Sequence, residues 1–272
     1  MTTLSITSLH NPRVKAVVHL RDARDRRRTG LFLIDGPRET ARALTAGIEV
    51  VEAFVHGDAW REQGGERLLA DLERAGAEVL EVTRQVFDRI AYGDRGSGIV
   101  AVAKRRERRL EDHAPAADAL VAVLEGVEKP GNIGAVSRSA DGAGVSAVIV
   151  AGTAVDLFNP NAIRASLGTI FTLPVFAATG EEAAAWLKRH EFKVLAARVG
   201  AGALHTTEGL YDGRTAIVLG SEAFGLSSMW QEPSVAAVRL PMRGAADSLN
   251  VSTTAAVLFY EALRQRGQAA SQ

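Results

Sequence analysis

The feature that most constrains the fold is a series of short, almost uninterrupted apolar runs in the second half of the chain. These runs alternate with segments of helical pattern, and they read ALVAVLEG, VSAVIVAG, FKVLAARVG, TAIVLGSE and VAAVRLPM. Strands of a parallel sheet are covered by helices on both faces, so they need apolar side chains on both sides. The second half is therefore predicted to be an α/β fold with a parallel sheet. A final amphipathic helix is predicted from Ser248 to about Arg266, with Val251, Ala255, Leu258 and Ala262 along one stripe.

The first half alternates in a similar way and ends at a charged segment. Strands are predicted at 31–36, 50–57, 77–82 and 98–103, and helices near 11–28, 37–46, 62–75 and 84–90. The stretch KRRERRLEDHAPAAD at 104–118 has little apolar periodicity and is rich in charge, alanine and proline. We therefore predict a smaller α/β domain at 1–108, a linker at 109–117 and a second domain at 118–272.

Composition excludes several classes of protein. Of the 272 residues, 47% are apolar and 24% are charged, which is typical of a globular protein and argues against disorder. The absence of cysteine excludes disulfides and thiolate metal sites, and the six histidines show no metal-ligand spacing, so no metal site is predicted. No signal peptide and no apolar stretch of membrane-spanning length is evident. A cytoplasmic protein is the expectation.

The net charge of zero conceals an uneven distribution. Residues 1–30 contain seven basic side chains and two acidic ones, and a second basic cluster occupies 104–109. Local positive charge attracts phosphate chains whatever the overall charge, so a nucleic acid is one candidate partner. The alternative is that both clusters are solvated surface. The candidate RNA-binding residues are Arg13, Lys15, Arg26, Arg27 and Arg28.

Three segments of the second domain place polar residues where a buried α/β core should not tolerate them. The first, N-I-G-A-V-S-R from Asn132 to Arg138, begins a helix after a strand, and the second, L-G-S-E-A-F-G-L, ends a buried strand with Glu222. The third contains L-P-M at 240–242 and D-S-L-N-V-S at 247–252, where Ser248 and Asn250 open the last helix. Taken singly, such residues are ordinary helix caps and turn residues.

Taken together and in this order, the three segments resemble the motifs of the SpoU (TrmH-like) branch of the SPOUT superfamily of RNA methyltransferases. The stretches Asn11–Lys15 and Gly30–Gly36 resemble, less specifically, the L30e-like α/β/α substrate-binding domain found in that family. The resemblance implies a parallel sheet with a C-terminal deep trefoil knot, and a homodimer formed by the catalytic domains. It also implies methylation of a ribose 2′-hydroxyl, with 23S ribosomal RNA favoured, as in relatives that include antibiotic-resistance enzymes.

Other functions remain open at this stage. The substrate could be a tRNA, or the chain could be a non-catalytic RNA-binding protein. A nicotinamide-dependent oxidoreductase is disfavoured because the glycine pattern of a dinucleotide site is missing.

The resemblance further implies S-adenosylmethionine as cofactor, held by three loops. The residues assigned to it are Ala197, Gly200, Leu219, Gly220, Leu240, Met242 and Leu249. Arg198 departs from the small or polar residue expected in the first loop. The residues assigned to catalysis are Asn132, Arg138, Glu222, Ser248 and Asn250. Arg138 matches the family's essential arginine, and because a guanidinium hardly deprotonates in proteins, a grip on the substrate phosphate suits it better than the role of base.

Overall fold

The computed structural model describes residues 5–57, 65–93, 97–152, 155–200, 202–221 and 224–269. The chain divides into two compact units. The first comprises Met1–Arg106 together with Phe158–Thr172, and the second comprises Glu107–Leu157 together with Leu173–Gln272.

Within the described residues of the first unit, five strands form one mixed sheet in the order β1-β4-β3-β5-β2. The strands are β1 (Ser5–Ile6), β2 (Leu31–Asp35), β3 (Val50–Val55), β4 (Glu78–Val82) and β5 (Ile99–Lys104). Strand β5 runs antiparallel to both β2 and β3, while β1, β4 and β3 are parallel. The helices are α1 (Pro12–His19), α2 (Ala23–Thr29), α3 (Pro37–Thr45), α4 (Glu66–Arg74), α5 (Arg84–Ile90), α7 (Pro160–Ala165) and α8 (Thr169–Thr172). All four strands predicted in this half are confirmed.

The single helix predicted near 11–28 is wrong, because the chain forms two helices there. The side chain of Asn11 accepts a hydrogen bond from the Arg13 N–H at 2.9 Å and caps α1. The Asp22 carboxylate accepts from the Arg24 N–H at 2.7 Å and caps α2. A side chain that binds free N–H groups favours a new helix start, so Asp22 divides the predicted helix.

The segment Phe158–Thr172 packs with the first unit, and no sequence pattern predicts this association. The ring centroid of Phe32 on β2 lies 4.8 Å from that of Phe158 and 5.8 Å from that of Phe171. The guanidinium of Arg42 donates to the Leu167 carbonyl at 2.7 Å. Helices α7 and α8 therefore complete the core of the first unit, although they follow it by more than fifty positions in the chain.

Within the described residues of the second unit, seven strands form one sheet in the order β10-β12-β9-β11-β6-β7-β8, and every adjacent pair is parallel. The strands are β6 (Leu120–Glu125), β7 (Ala147–Ala151), β8 (Val175–Ala178), β9 (Lys193–Ala197), β10 (Ala203–Leu204), β11 (Thr215–Leu219) and β12 (Val235–Arg239). The helices are α6 (Pro130–Gly142), α9 (Gly180–Arg189) and α10 (Val251–Ala269). The predicted parallel α/β sheet is confirmed, and the trefoil knot stays a prediction.

The last helix begins at Val251, three positions later than predicted, because Asn250 caps it. The Asn250 Oδ1 accepts from the Ser252 N–H at 2.9 Å and from the Ser252 hydroxyl at 2.6 Å. The predicted apolar stripe is buried, with Val251, Ala255, Leu258 and Ala262 no more than 5% exposed. Helix α10 packs along α6.

Residues 109–117, predicted to be a linker, pack onto the second unit. Leu110 lies in a short 3₁₀ turn and is buried in the core on one face of the sheet. The Trp186 indole N–H donates to the His113 carbonyl at 3.3 Å, and the Arg214 guanidinium donates to the Ala116 carbonyl at 2.9 Å. These contacts attach the start of the second unit to α9 and to the residue before β11.

Candidate functional site

A pocket of about 280 Å³ lies at the carboxyl ends of β9, β11 and β12. This edge of a parallel sheet is where ligands bind in open α/β folds, since the loops there are free to diverge around them. The residues that follow the three strands line the pocket together with the start of α10.

Six of the seven residues assigned to the cofactor line this pocket. They are Ala197, Leu219, Gly220, Leu240, Met242 and Leu249. Gly200 does not line it and is exposed, with a positive φ of 73°. Arg198, the residue that departs from the resemblance, lines the pocket and its guanidinium donates to the Trp230 carbonyl.

Gly220 shows why a glycine follows β11. A Cβ at this position would lie 2.4 Å from both the carbonyl carbon and the carbonyl oxygen of Gly225, closer than real Cβ contacts occur. Ser221 and Gly225 exchange two backbone hydrogen bonds of 3.2 and 3.0 Å, which close a tight turn. Glu222, the predicted carboxylate of this turn, lies outside the described residues.

Glu125, a residue outside the three motifs, binds the chain that follows this turn. One carboxylate oxygen accepts from the Ser227 N–H and the other from the Ser227 hydroxyl, both at 2.8 Å. Hydrogen bonds to an ionised acceptor are stronger than neutral ones. Glu125 ends the buried strand β6 with a carboxylate, which is the same signal that drew attention to Glu222.

The first and third motifs meet through two asparagines. The side-chain amide of Asn250 donates to the Asn132 side-chain oxygen at 3.4 Å, although 118 positions separate them. Asn132 lies in the first turn of α6 and Asn250 caps α10, so the contact joins the starts of the two packed helices. Ser248 lines the pocket, as do its chain neighbours Asp247 and Leu249.

The fold does not place Arg138 beside Asn132 and Asn250. Six positions along an α-helix correspond to about 600° of rotation, or a net turn of about 240°, so Arg138 leaves α6 in a different direction from Asn132. Arg138 is exposed and does not line the pocket. Within the described part of the chain it makes no hydrogen bond or ion pair, so its guanidinium is available to a ligand.

The five predicted RNA-binding residues differ in their surroundings. The assignment of Arg26 to an exposed cluster is wrong, because Arg26 is 1% exposed and its guanidinium donates to the Leu20 carbonyl at 2.7 Å. Arg13 pairs with Glu78 at 2.8 Å and Glu52 at 3.4 Å, and the Glu78 hydrogen bond raises the pKa of Arg13.

The other three basic side chains are exposed. Arg28 pairs with Asp25 at 2.6 Å. Lys15 and Arg27 make no side-chain hydrogen bond or ion pair with any residue that the structure describes. The surface charge that remains for a polyanion on α1 and α2 is therefore smaller than the sequence indicated.

Among the described residues, no group of three or more His, Asp or Glu side chains is arranged to hold a metal ion. In the same residues, no helix combines the length and the apolar character needed to cross a membrane.

Comparison with known proteins decides the family. Residues 119–260, more than half of the chain, match the model of the SpoU rRNA Methylase family. The chain belongs to the SpoU rRNA methylase family. Residues 11–101 match the MRM3-like substrate binding domain. The predicted family and the predicted pairing of a methylase domain with a substrate-binding domain are thus confirmed.

Individual members of the SpoU family resemble the chain over most of its length. A 23S rRNA (guanosine-2′-O-)-methyltransferase, RlmB of Xylella fastidiosa, is 37% identical over 73% of this chain and 84% of its own length. A crystal structure of an RNA 2′-O ribose methyltransferase superimposes with a TM-score of 0.84 and 42% identity, covering 97% of this chain and 99% of that one. An AdoMet-bound rRNA methyltransferase from Sinorhizobium meliloti gives a TM-score of 0.86 at 28% identity, covering 96% and 98%.

Proposed function

We propose that the protein transfers a methyl group from S-adenosylmethionine to a ribose 2′-hydroxyl of 23S ribosomal RNA. The observation that carries the proposal is the pocket at the ends of β9, β11 and β12, which is lined by six of the seven residues that the resemblance assigns to the cofactor. The names of the relatives support the substrate, and the AdoMet-bound neighbour supports the cofactor. An rRNA substrate also fits a cytoplasmic location.

The pocket has the chemistry that S-adenosylmethionine requires. Leu219, Leu240 and Leu249 offer apolar surface to the adenine ring, and the backbone of the three loops offers N–H and C=O groups to its edge. Gly220 allows the turn at 220–225 to close against this surface. When bound, the cofactor supplies a methyl group on a sulfonium centre, which is already electrophilic.

The remaining residues are assigned to the RNA. Asn132, Asn250 and Ser248 provide neutral hydrogen-bonding groups that orient the ribose at the mouth of the pocket. Arg138 grips a phosphate next to that ribose through its planar guanidinium, which is suited to bidentate contacts. We assign to Glu222, whose carboxylate follows β11 in the second motif, the role of accepting the proton of the ribose hydroxyl.

The working enzyme is a homodimer that joins the second units. On α10, Val257, Tyr260 and Leu263 are exposed and lie three positions apart, so they form one apolar row on the helix surface. Arg138, which does not line the pocket of its own chain, then serves the pocket of the partner. We keep the division into 1–108, 109–117 and 118–272 as the functional one, with the first part binding RNA through residues that include Lys15 and Arg27.

The test is to map 2′-O-methyl groups in 23S rRNA from cells with and without the gene, and then to restore the missing group in vitro. Purified protein and labelled S-adenosylmethionine should methylate the unmodified rRNA at one nucleotide. A map without any difference, together with no transfer to 23S rRNA, would refute the proposal. Transfer to tRNA instead would retain the chemistry and change the substrate.

A further inference from the structure

One phenylalanine of the chain differs from all the others in its exposure. The sequence contains nine phenylalanines, and eight of them are no more than 8% exposed. Phe224 is 90% exposed. Burial of a phenyl ring is strongly favourable, so a ring that is 90% exposed offers apolar surface to a ligand.

Phe224 makes a backbone hydrogen bond within its turn, while its ring lies in solvent. The Phe224 N–H donates to the Ser221 hydroxyl oxygen at 3.0 Å, inside the turn closed by Ser221 and Gly225. No other aromatic ring of the described residues packs against Phe224. The ring therefore projects into solvent from a hydrogen-bonded turn.

The turn that carries Phe224 borders the pocket. Ser221 and Gly225, the residues that close the turn, both line the pocket. Two further exposed apolar side chains, Val199 and Leu249, lie on the other two loops and also line it. Three exposed apolar side chains, Val199, Leu249 and Phe224, thus lie on the three loops that line the pocket, and we call them its apolar rim.

We propose that Phe224 stacks on a nucleobase of unpaired RNA beside the ribose that receives the methyl group. This inference rests on the proposed function, because the acceptor ribose must then reach the methyl donor in this pocket. A base attached to that ribose, or to the next one, lies within one nucleotide of the rim. Aromatic side chains bind unpaired bases by stacking on their flat faces, and every base has such a face. Phe224 therefore positions the strand without selecting its sequence.

The experiment compares variants of the full-length protein. They distinguish stacking by a flat aromatic ring from contact by an apolar side chain of another shape. Phe224→Ala and Phe224→Leu should each raise the apparent KM for an unmodified 23S rRNA transcript by between about fivefold and about a hundredfold. Phe224→Trp should restore the wild-type KM to within about twofold. The dissociation constant of S-adenosylmethionine should not change in any variant, since no cofactor contact is assigned to the ring.

The matched control is Leu204→Ala, which removes another exposed apolar side chain that does not line the pocket. Its KM for RNA should equal that of the wild type. A Phe224→Leu enzyme with wild-type KM would overturn the proposal, and so would a Phe224→Ala enzyme that loses RNA affinity only because its oligomeric state changes in sedimentation. A wild-type protein without methyl transfer would instead contradict the proposed function itself.

Discussion

Arg138 is the residue whose environment says most about its role. It is a cation without a hydrogen bond or ion pair to any described residue, on a helix that otherwise exposes few charges. A side chain in this position contributes little to the stability of its own chain. We propose that the Arg138 guanidinium instead contacts an RNA phosphate.

Arg138→Ala should leave folding and cofactor affinity nearly unchanged and reduce turnover by orders of magnitude. Arg138→Lys should restore little, because an ammonium group cannot reproduce a planar bidentate grip. Single-turnover methyl transfer and S-adenosylmethionine binding, measured on the same samples, separate the two effects. Near wild-type transfer by Arg138→Lys would show that a simple positive charge is enough.

At the scale of single elements, α2 contains two kinds of arginine side by side. Arg26 is buried and binds the Leu20 carbonyl, whereas Arg27 is exposed. A guanidinium that satisfies a buried carbonyl stabilises the fold, because its loss leaves that carbonyl without a partner.

Arg26→Ala should therefore lower the melting temperature, and Arg27→Ala should not. The double variant Lys15→Ala/Arg27→Ala should keep wild-type stability and show a weaker dependence of RNA affinity on salt, since each lost phosphate contact reduces counterion release. Thermal melts and RNA titrations at several salt concentrations provide the measurement. An unchanged salt slope in the double variant would mean that these two cations are solvated surface.

His113, in the segment before β6, makes a contact whose contribution to stability depends on pH. The His113 ring stacks on Trp186 at 5.9 Å between centroids, and its Nε2 is buried without a hydrogen-bond partner among the described residues. Burial lowers the pKa of His113, and the neighbouring His190 and Arg108 lower it further. The folded state therefore binds this proton less readily than the unfolded state, where the pKa is about 6.5.

The contribution of His113 is consequently complete above about pH 6.5 and is lost as the pH falls through the lower pKa of the folded state. We expect the wild type to lose more stability between about pH 7.5 and 5.5 than His113→Phe, which keeps a ring beside Trp186. Melting temperatures of both proteins across this range test the expectation. Parallel curves would indicate that His113 titrates normally.

At the scale of the whole molecule, the proposed homodimer requires the exposed apolar row on α10 to remain uncharged. Tyr260→Glu and Leu263→Glu each place a charge in the exposed apolar row, where a partner would have to desolvate it. Both variants should sediment as monomers at micromolar concentration and lose methyl transfer. Arg264→Glu, next to the row but paired with Glu208 and Glu261, is unsuitable as a control because it breaks those ion pairs. Ala185→Glu, on the exposed side of α9 and away from the row, is the better one.

A monomeric Tyr260→Glu enzyme with full activity would separate catalysis from dimerisation. In that case Arg138 would have to act on the pocket of its own chain.

The sequence predicted most of what depends on local periodicity and on the motifs. The apolar stripe of α10 and five of the strands in the second sheet follow from side-chain spacing, and the resemblance predicted six of the residues that line the pocket. The partner of a buried side chain does not follow from spacing, which is why Arg26 was assigned to the surface. Periodicity also shows that a face is covered and not what covers it, so the packing of Phe171 against Phe32 could not be foreseen.

The return of Phe158–Thr172 to the first unit has a consequence for how such enzymes can be recombined. The chain passes between the two units three times, after residues 106, 157 and 172. Exchanging residues 1–106 for those of a relative would leave Phe158, Phe171 and the Leu167 carbonyl facing side chains they did not evolve with. A chimera intended to redirect RNA choice must therefore transplant two separate stretches of gene, the second of which lies inside the methylase sequence itself.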